Sequence, residues 1–151
     1  MKIKLYRSAT IGIFNENFKL LNDPWLVDGE YYGSWSHYPY FDFDKHEDEI
    51  NSYDAIYISH IHPDHCSPLT LKKINKNIPI YISKYHSKFL KKNIERLGFK
   101  VFELENGKRI KLANNFYLTI LFSSIISFII FYIFKKNEFF LDKVAYSKHK
   151  Q

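Results

Sequence analysis

The stretch Asp54–Ile74, "DAIYISHIHPDHCSPLTLKKI", decides the fold of this chain. Its first residues, 54–59, are a short apolar run bounded by polar residues, which predicts a buried β-strand. Ser67 followed by Pro68 is a helix-start pattern, because serine caps a helix and proline suits its first position. The stretch therefore predicts a strand, a short histidine-rich loop and a helix, in that order.

The loop between the strand and the helix contains His60, His62, Asp64 and His65. Side chains two apart on an extended backbone point the same way, so His60 and His62 can bind one ion together. Asp64 and His65 follow the turn at Pro63 and can face a second ion. Imidazole and carboxylate suit Zn, Fe or Mn, and water held between two such ions becomes hydroxide at neutral pH. Surface histidines beside a helix cap are the simpler interpretation, but the H-x-H-x-D-H spacing in this context favours a metal site.

The residues before this stretch predict two strands and a long loop. Lys2–Ile13 has the pattern of one strand, with Ile3 and Leu5 facing inward, and Phe18–Leu21 has the pattern of a second. Residues 27–44 are aromatic, turn-rich and without a clear period, which indicates a long shaped loop. Loops of that length inside a compact domain are usually functional.

Three residues of this loop are candidates for substrate binding: Trp35, His37 and Tyr38. They would lie near the mouth of a pocket beside the histidine loop. For His37, an exposed loop histidine without a function is an equally good interpretation.

The residues after the quoted stretch predict further strands at 78–83, 99–104, 108–112 and 116–121, and a helix from Ser87 to Leu97 that Gly98 ends. Asn106-Gly107 predicts a hairpin turn between the strands at 99–104 and 108–112. Strands that alternate with helices and then continue as a meander indicate a layered α/β or α+β sheet.

Composition narrows the class of protein. The chain has 151 residues, the size of one domain with a real core. Its net charge is +6, but the lysines are spread among acids, which favours solvated faces over a nucleic-acid surface. The single cysteine, Cys66, excludes an internal disulfide framework, suits a reducing cytoplasm and is expected to be a small packed residue. The N-terminal residues predict no secretory signal.

The histidine loop resembles the metal-binding signature of the metallo-β-lactamase fold superfamily, through "SHIHPDH" after "DAIYI". "DPWL" at 23–26, the Gly33-Ser34-Trp35 element and "LGFKVFEL" at 97–104 are similar to the metallo-β-lactamase-like part of the CMP-N-acetylneuraminate hydroxylase group and to the ascorbate-6-phosphate lactonase kind. The resemblance covers roughly residues 1–121. It implies an α+β fold: the N-terminal half of an αββα sandwich, with a mixed β-sheet flanked by helices.

The resemblance also implies roles for the loop residues. His60 and His62 would bind a first divalent metal ion, and Asp64 and His65 a second, with zinc favoured and iron or manganese as alternatives. Asp64 would exchange a proton with bound water as the catalytic residue, and Asp23 would lie beside the loop and orient the histidines. The implied reaction is attack by metal-bound hydroxide on a small polar substrate, such as a sugar, a sugar nucleotide or a phosphorylated lactone, which suggests carbohydrate metabolism.

A complete site of this family needs two more histidines and a bridging aspartate. After the loop the chain offers only His86, Asp142 and His149, which we expect at the surface because of their helical and lysine-rich surroundings. Zinc sites use at least three protein ligands, so full activity from this chain alone is not expected. The hydroxylase also needs an iron–sulfur centre, which a single cysteine excludes. The resemblance therefore concerns the fold and not the reaction.

Residues 116–134, "FYLTILFSSIISFIIFYIF", carry no charge and precede two lysines. A helix of that length spans about 28 Å, enough for a bilayer core. Three interpretations of this segment compete. It is a membrane anchor, a buried strand followed by further buried residues, or the product of an altered reading frame. The resemblance ends near Leu121, which favours truncation or a disrupted frame. The expected organisation is an incomplete metallo-β-lactamase-like domain over residues 1–121 and an atypical hydrophobic, then lysine-rich tail over residues 122–151.

Three functions compete on this basis. A truncated metal-dependent hydrolase is favoured, completed by a partner chain or by another copy. A non-catalytic remnant or membrane-anchored binding module would explain the missing ligands. A nuclease of the same fold would use the lysines of one helix face to hold phosphates: Lys84, Lys88, Lys91 and Lys92.

Overall fold

The computed structural model describes residues 1–121, which form eight strands and three short helices. The strands are β1 Lys2–Arg7, β2 Thr10–Phe14, β3 Lys19–Asn22, β4 Ala55–Ile58, β5 Ile80–Ser83, β6 Val101–Leu104, β7 Arg109–Ala113 and β8 Phe116–Thr119. The helices are α1 Glu47–Asn51, preceded by a 3-10 turn at Asp44–His46, then α2 Pro68–Lys73 and α3 Phe89–Arg96. The predictions for the tail over residues 122–151 lie outside the described residues, as does most of the suggested membrane segment.

The main sheet has six strands in the order β1-β2-β3-β4-β5-β6. β1, β2 and β3 are antiparallel, and β3 to β6 are parallel, so the carboxyl ends of those four strands share one edge. All four residues of β4 are buried, because the strand lies at the centre of the sheet with a layer on each face.

The two faces of the main sheet are covered differently. Helix residues such as Ile50, Leu71 and Ile94 pack in a core cluster on one face. On the other face, β7 and β8 form a separate two-stranded sheet whose Phe116 and Leu118 pack against the main sheet. The predicted α+β class, with a mixed sheet flanked by helices, is therefore confirmed.

The helix start after the histidine loop is as predicted. Ser67 is the N-cap of α2, its hydroxyl oxygen accepts the Thr70 amide at 3.0 Å, and Pro68 occupies the first turn.

In residues 1–121, no helix is long and apolar enough to cross a membrane.

The N-terminal prediction is wrong in two respects. Lys2–Ile13 is a hairpin of two strands rather than one strand, and it turns at Ser8, whose φ is 45°. Ile3 and Leu5 were expected to face inward, but they are 63% and 68% exposed. β1 is an edge strand, and nothing in residues 1–121 covers that part of its face.

The predicted hairpin at Asn106-Gly107 is also wrong. β6 pairs with β5 and β7 pairs with β8, so the strands on either side of Gly107 belong to different sheets. The glycine still provides the turn, since its φ is 72°, but the chain uses it to cross from one layer to the other. The hairpin lies one connection later, between β7 and β8, where Asn115 has a φ of 58°.

Candidate metal centre

The histidine loop leaves the end of β4 at the carboxyl edge of the parallel strands. The amides of His65 and Cys66 both donate to the carbonyl oxygen of His62, at 2.9 and 2.8 Å, which closes the loop into a tight turn. Cys66 is only 7% exposed, as expected of a packed residue, and burial raises its thiol pKa to about 12. Four candidate ligands are thus held within one turn of chain between a buried strand and a capped helix.

The candidate ligand atoms lie in two pairs. Nε2 of His60 is 3.0 Å from Nδ1 of His62, and Oδ2 of Asp64 is 3.5 Å from Nε2 of His65. Two nitrogens that share a tetrahedral zinc, each ~2.0–2.1 Å from the ion, lie about 3.3 Å apart. Both separations are therefore close to what a shared divalent ion requires. The rings of His60 and His65 are 4.1 Å apart at their centroids, so the two pairs are neighbours.

Asp23 orients the loop from the end of β3. Its side chain is 5% exposed, and its carboxylate accepts the Ser59 amide at 2.7 Å and the Ser59 hydroxyl at 2.8 Å. Its Oδ2 lies 3.0 Å from Nδ1 of His65. A bond at Nδ1 fixes the ring and leaves Nε2 available as a ligand, which is how carboxylates support metal-binding histidines.

Ser59 and Tyr85 take part in the same network, although the sequence analysis did not select them. The Ser59 hydroxyl lies 2.8 Å from Nδ1 of His60, and the Tyr85 hydroxyl donates to the Ser59 carbonyl at 2.5 Å. A hydroxyl residue directly before the first histidine was a signal that could have identified Ser59. Tyr85 follows β5, and only the parallel pairing of β4 with β5 brings it to the loop.

Two histidines have shifted pKa values. Burial and the neighbouring His65 lower the pKa of His60, which favours its neutral imidazole. Burial also acts to lower the pKa of His65, but the hydrogen bond that its ring donates to Asp23 and the charges of Asp23 and Asp64 outweigh it, so the pKa is raised. A neutral imidazole is the form that binds metal, so the lowered pKa of His60 favours metal binding and the raised pKa of His65 opposes it.

The donor set fits a metal, but each pair supplies only two ligands. Within the described part of the chain, no group of three or more His, Cys, Asp or Glu residues is arranged to hold an ion. His86 is exposed in the turn before α3. Asp142 and His149 lie outside the described residues. Each pair is therefore short, within residues 1–121, of the three protein ligands that zinc sites use.

The aromatic loop, residues 27–44, contacts the start of α2 directly after the histidine loop. Glu30 anchors it, because its carboxylate accepts the hydroxyl of the cap residue Ser67 at 2.5 Å. Trp35 is 42% exposed and packs against Tyr31, with ring centroids 4.2 Å apart, and Tyr38 is 99% exposed. Two of the three candidates for substrate contact, Trp35 and Tyr38, are thus at the surface.

His37 differs from the exposed loop histidine that was one of its two interpretations, since its side chain is 1% exposed. Its ring lies 4.2 Å from the ring of Trp25, and its Nδ1 is 2.5 Å from Oδ1 of Asp28. The Asp28 carboxylate also accepts the His37 amide at 2.8 Å. These contacts fix the base of the loop, so its exposed tip is presented on a rigid support.

Comparison with known proteins gives short matches in sequence. No family model matches the chain. A protein described as a Rieske 2Fe-2S iron–sulfur protein from Mycolicibacterium smegmatis is 34% identical over 85 residues, 55% of this chain and 16% of that protein. The cytidine monophosphate-N-acetylneuraminic acid hydroxylase of Xenopus laevis is 38% identical over 73 residues, 45% of this chain and 12% of that enzyme. The inactive human hydroxylase is 38% identical over 69 residues. The chain thus spans less than a fifth of these relatives.

Solved structures match over most of the chain. A possible metal-dependent hydrolase from Veillonella parvula has a TM-score of 0.56 at 23% identity, over 75% of this chain and 44% of that one. An isothiocyanate hydrolase from Delia radicum gut bacteria has a TM-score of 0.60 at 20% identity, over 79% of this chain and 46% of that one. The described residues therefore share the fold of these two structures, a mixed sheet flanked by helices. The chain spans less than half of either structure.

Proposed function

We propose that this chain carries the first metal-binding half of a metallo-β-lactamase-type hydrolase site. The observation that supports it best is the ligand pair of His60 and His62, whose facing nitrogens are 3.0 Å apart. Asp64 and His65 form the second pair at 3.5 Å. Of the ions that accept such ligands, zinc fits best, with iron and manganese as alternatives, and one or two ions would be bound.

The protein's own residues would prepare the site for hydrolysis. A bound divalent ion would supply a Lewis acid and lower the pKa of water. Ser59 and Asp23 hold His60 and His65 in fixed orientations through the Nδ1 atoms. Asp64, whose side chain is 29% exposed, would accept a proton at its carboxylate as the catalytic residue. Its place beside His65 would let it take that proton next to the reacting centre.

The substrate we propose is small and polar, such as a sugar or a sugar nucleotide. The sequence relatives that act on cytidine monophosphate-N-acetylneuraminic acid support this class. The exposed rings of Trp35 and Tyr38 also support it, because an aromatic face packs well against a sugar or a base. Hydrolysis is the proposed reaction, because histidines and a carboxylate are the ligands with which a divalent ion activates water.

The remaining ligands are proposed to come from a partner chain, from another copy or from the tail. The solved structures of this fold are more than twice as long as the part matched here, which is consistent with a site built from two halves. We propose a cytoplasmic protein, in agreement with the single buried thiol.

The test is the metal content of the purified chain. The wild type is expected to retain about one or two zinc ions, and the double variant His60→Ala/His62→Ala to lose at least one of them. The matched control is His46→Ala, which changes a histidine packed on Phe41 and remote in sequence from the loop. Equal metal content in all three proteins would contradict the proposal.

A binding module without catalysis is the second candidate, because each ligand pair in residues 1–121 is short of the three ligands that catalytic zinc uses. Hydrolysis of simple esters and lactones by the metal-loaded protein separates the two functions. Bound metal without turnover would favour the binding module.

The nuclease alternative has less support. Lys84 pairs with Glu105 at 3.2 Å, and Lys88 pairs with Glu103 at 2.7 Å. Lys91 also lies 3.4 Å from Glu103. These lysines face acids of β6 and its exit, so their charge is largely neutralised locally and offers little attraction to phosphates.

A further inference from the structure

Ser59 connects the buried carboxylate of Asp23 to the first histidine of the loop. It follows β4 directly, and it is 3% exposed. Its hydroxyl oxygen is 2.8 Å from Oδ2 of Asp23 and 2.8 Å from Nδ1 of His60. Its amide donates to Oδ1 of Asp23 at 2.7 Å. One buried hydroxyl is therefore shared between a carboxylate and an imidazole.

The direction of these hydrogen bonds follows from the number of protons. A carboxylate only accepts hydrogen bonds, and a hydroxyl has a single proton to donate. The Ser59 hydroxyl therefore donates to Asp23, and its oxygen must accept from Nδ1 of His60. In a neutral imidazole one nitrogen carries the proton and the other is an acceptor. The proton of neutral His60 thus lies on Nδ1, and its Nε2 keeps a lone pair.

The contact between the first two histidines extends this assignment. Nε2 of His60 is 3.0 Å from Nδ1 of His62, and since Nε2 of His60 is the acceptor, Nδ1 of His62 is the donor. Three hydrogen bonds therefore run in one direction, from His62 to His60, then to Ser59, then to Asp23. The opposite direction would deprive Asp23 of its hydroxyl donor. Its side chain is only 5% exposed, and a buried acceptor that loses a donor is costly.

The same oxygen of Asp23 also contacts the second ligand pair. Its Oδ2 lies 3.0 Å from Nδ1 of His65, which leaves Nε2 of His65 as the ligand atom. Asp23 thus acts on one histidine of each pair, on His65 directly and on His60 through Ser59. A change at Ser59 therefore interrupts the effect on His60 and leaves the contact with His65 in place.

We propose that Ser59 is a positioning residue, which transmits the effect of Asp23 to His60 and fixes the tautomer whose Nε2 can bind a divalent ion. The part that concerns metal rests on the proposed function. The tautomer itself is a property of the metal-free chain, because all the donors and acceptors that select it belong to the protein.

The first test is nitrogen NMR of the metal-free chain with isotope-labelled histidine, at about pH 8.5, where an ordinary imidazole is neutral. Wild-type His60 is expected to carry its proton on Nδ1. Ser59→Ala is expected to shift the ratio of the two His60 tautomers towards the Nε2-protonated form by at least about tenfold, because it removes the acceptor of the Nδ1 proton. Ser59→Thr keeps the hydroxyl and is expected to restore the wild-type ratio.

The matched control is Ser83→Ala. Ser83 also has a buried hydroxyl at the end of a parallel strand, β5, but that hydroxyl lies 3.4 Å from the hydroxyl of Tyr57 and contacts no histidine of the loop. This variant is expected to leave the His60 tautomers unchanged.

Three results of the NMR experiment overturn the proposal. The first is a proton on Nε2 of His60 in the wild type, and the second is a tautomer ratio that Ser59→Ala leaves unchanged. The third is a shift of His65 as large as that of His60, because a general loosening of the loop would affect both rings.

The second test is the zinc affinity of the same variants, measured by competition with a coloured chelator. Ser59→Ala is expected to bind zinc about 10–100-fold more weakly, whereas Ser59→Thr and Ser83→Ala should bind it as the wild type does. Unchanged affinity in Ser59→Ala overturns the positioning role. A wild type that binds no zinc but shows the expected tautomers would refute the proposed function and uphold the role of Ser59 in fixing the His60 tautomer.

Discussion

Replacing Asp23 by asparagine tests how the histidine loop is held in place. Asparagine has nearly the same shape and tolerates the positive φ of this position, 45°, so the backbone is preserved. The carboxylate accepts two hydrogen bonds from Ser59 and one from His65, and it is nearly fully buried. The amide keeps one oxygen but replaces the other by a donor. At least one bond to a charged acceptor is lost, and we expect a destabilisation of about 2–4 kcal/mol.

The effect on metal binding follows from the tautomer of His65. If the new amide group donates to Nδ1, the proton of His65 must move to Nε2, and Nε2 can no longer bind an ion. Loss of such an orienting partner costs about 10–100-fold in metal affinity. The stability is measured by urea unfolding, and the zinc affinity by competition with a coloured chelator.

The matched control is Asp28→Asn. Asp28 also accepts bonds from a backbone amide and a histidine, namely both nitrogen donors of His37, but it lies in the aromatic loop. This variant is expected to lose stability with little change in zinc affinity. The reasoning is refuted if Asp23→Asn binds zinc as tightly as the wild type, or if Asp28→Asn weakens binding equally.

Three further results are expected. Tyr85→Phe removes the hydrogen bond to the Ser59 carbonyl, directly before the histidine loop. The variant should bind zinc several-fold more weakly and lose about 1 kcal/mol of stability. Unchanged zinc binding would exclude a positioning role for Tyr85. Gly12→Ala would place a methyl group 1.8 Å from the hydroxyl oxygen of Tyr53. Urea unfolding should therefore show that the free energy of unfolding falls by about 1–3 kcal/mol. A fall of less than about 0.5 kcal/mol would contradict the close packing at Gly12. Burial acts to raise the pKa of Glu49, but hydrogen bonds from a lysine and a tyrosine of β1 lower it below its ordinary value of 4.5. A lowered pKa stabilises the fold above that value and loses its effect as the pH falls through the folded-state pKa, so the stability difference between wild type and Glu49→Gln should shrink in acid.

The features that the sequence predicted correctly depend on neighbours in the chain. The α2 start needed only Ser67, Pro68 and the amide three residues after the cap. The proximity of His60 and His62 also follows from the alternation of side chains along an extended backbone, while their role as metal ligands stays a prediction. Both features can be derived from residues that lie close together in the sequence.

The errors concern contacts between distant parts of the chain. Alternation shows that Ile3 and Leu5 share a face, but not whether another layer covers it. Likewise, Gly107 indicates a turn, but not which sheet the next strand joins. Tyr85 reaches the metal loop only because β4 and β5 are adjacent, so no local pattern reveals its role.

The order of the main sheet has a consequence for how the protein is made. Strands β1 to β6 are arranged in space in the order in which they occur along the chain. On the ribosome, each new strand therefore emerges next to a partner that is already available, and no strand has to wait for a later one to fill a gap. At about 5–20 residues per second, the sheet can grow as fast as translation supplies it. The layer formed by β7 and β8 arrives afterwards and closes a face that has already been assembled.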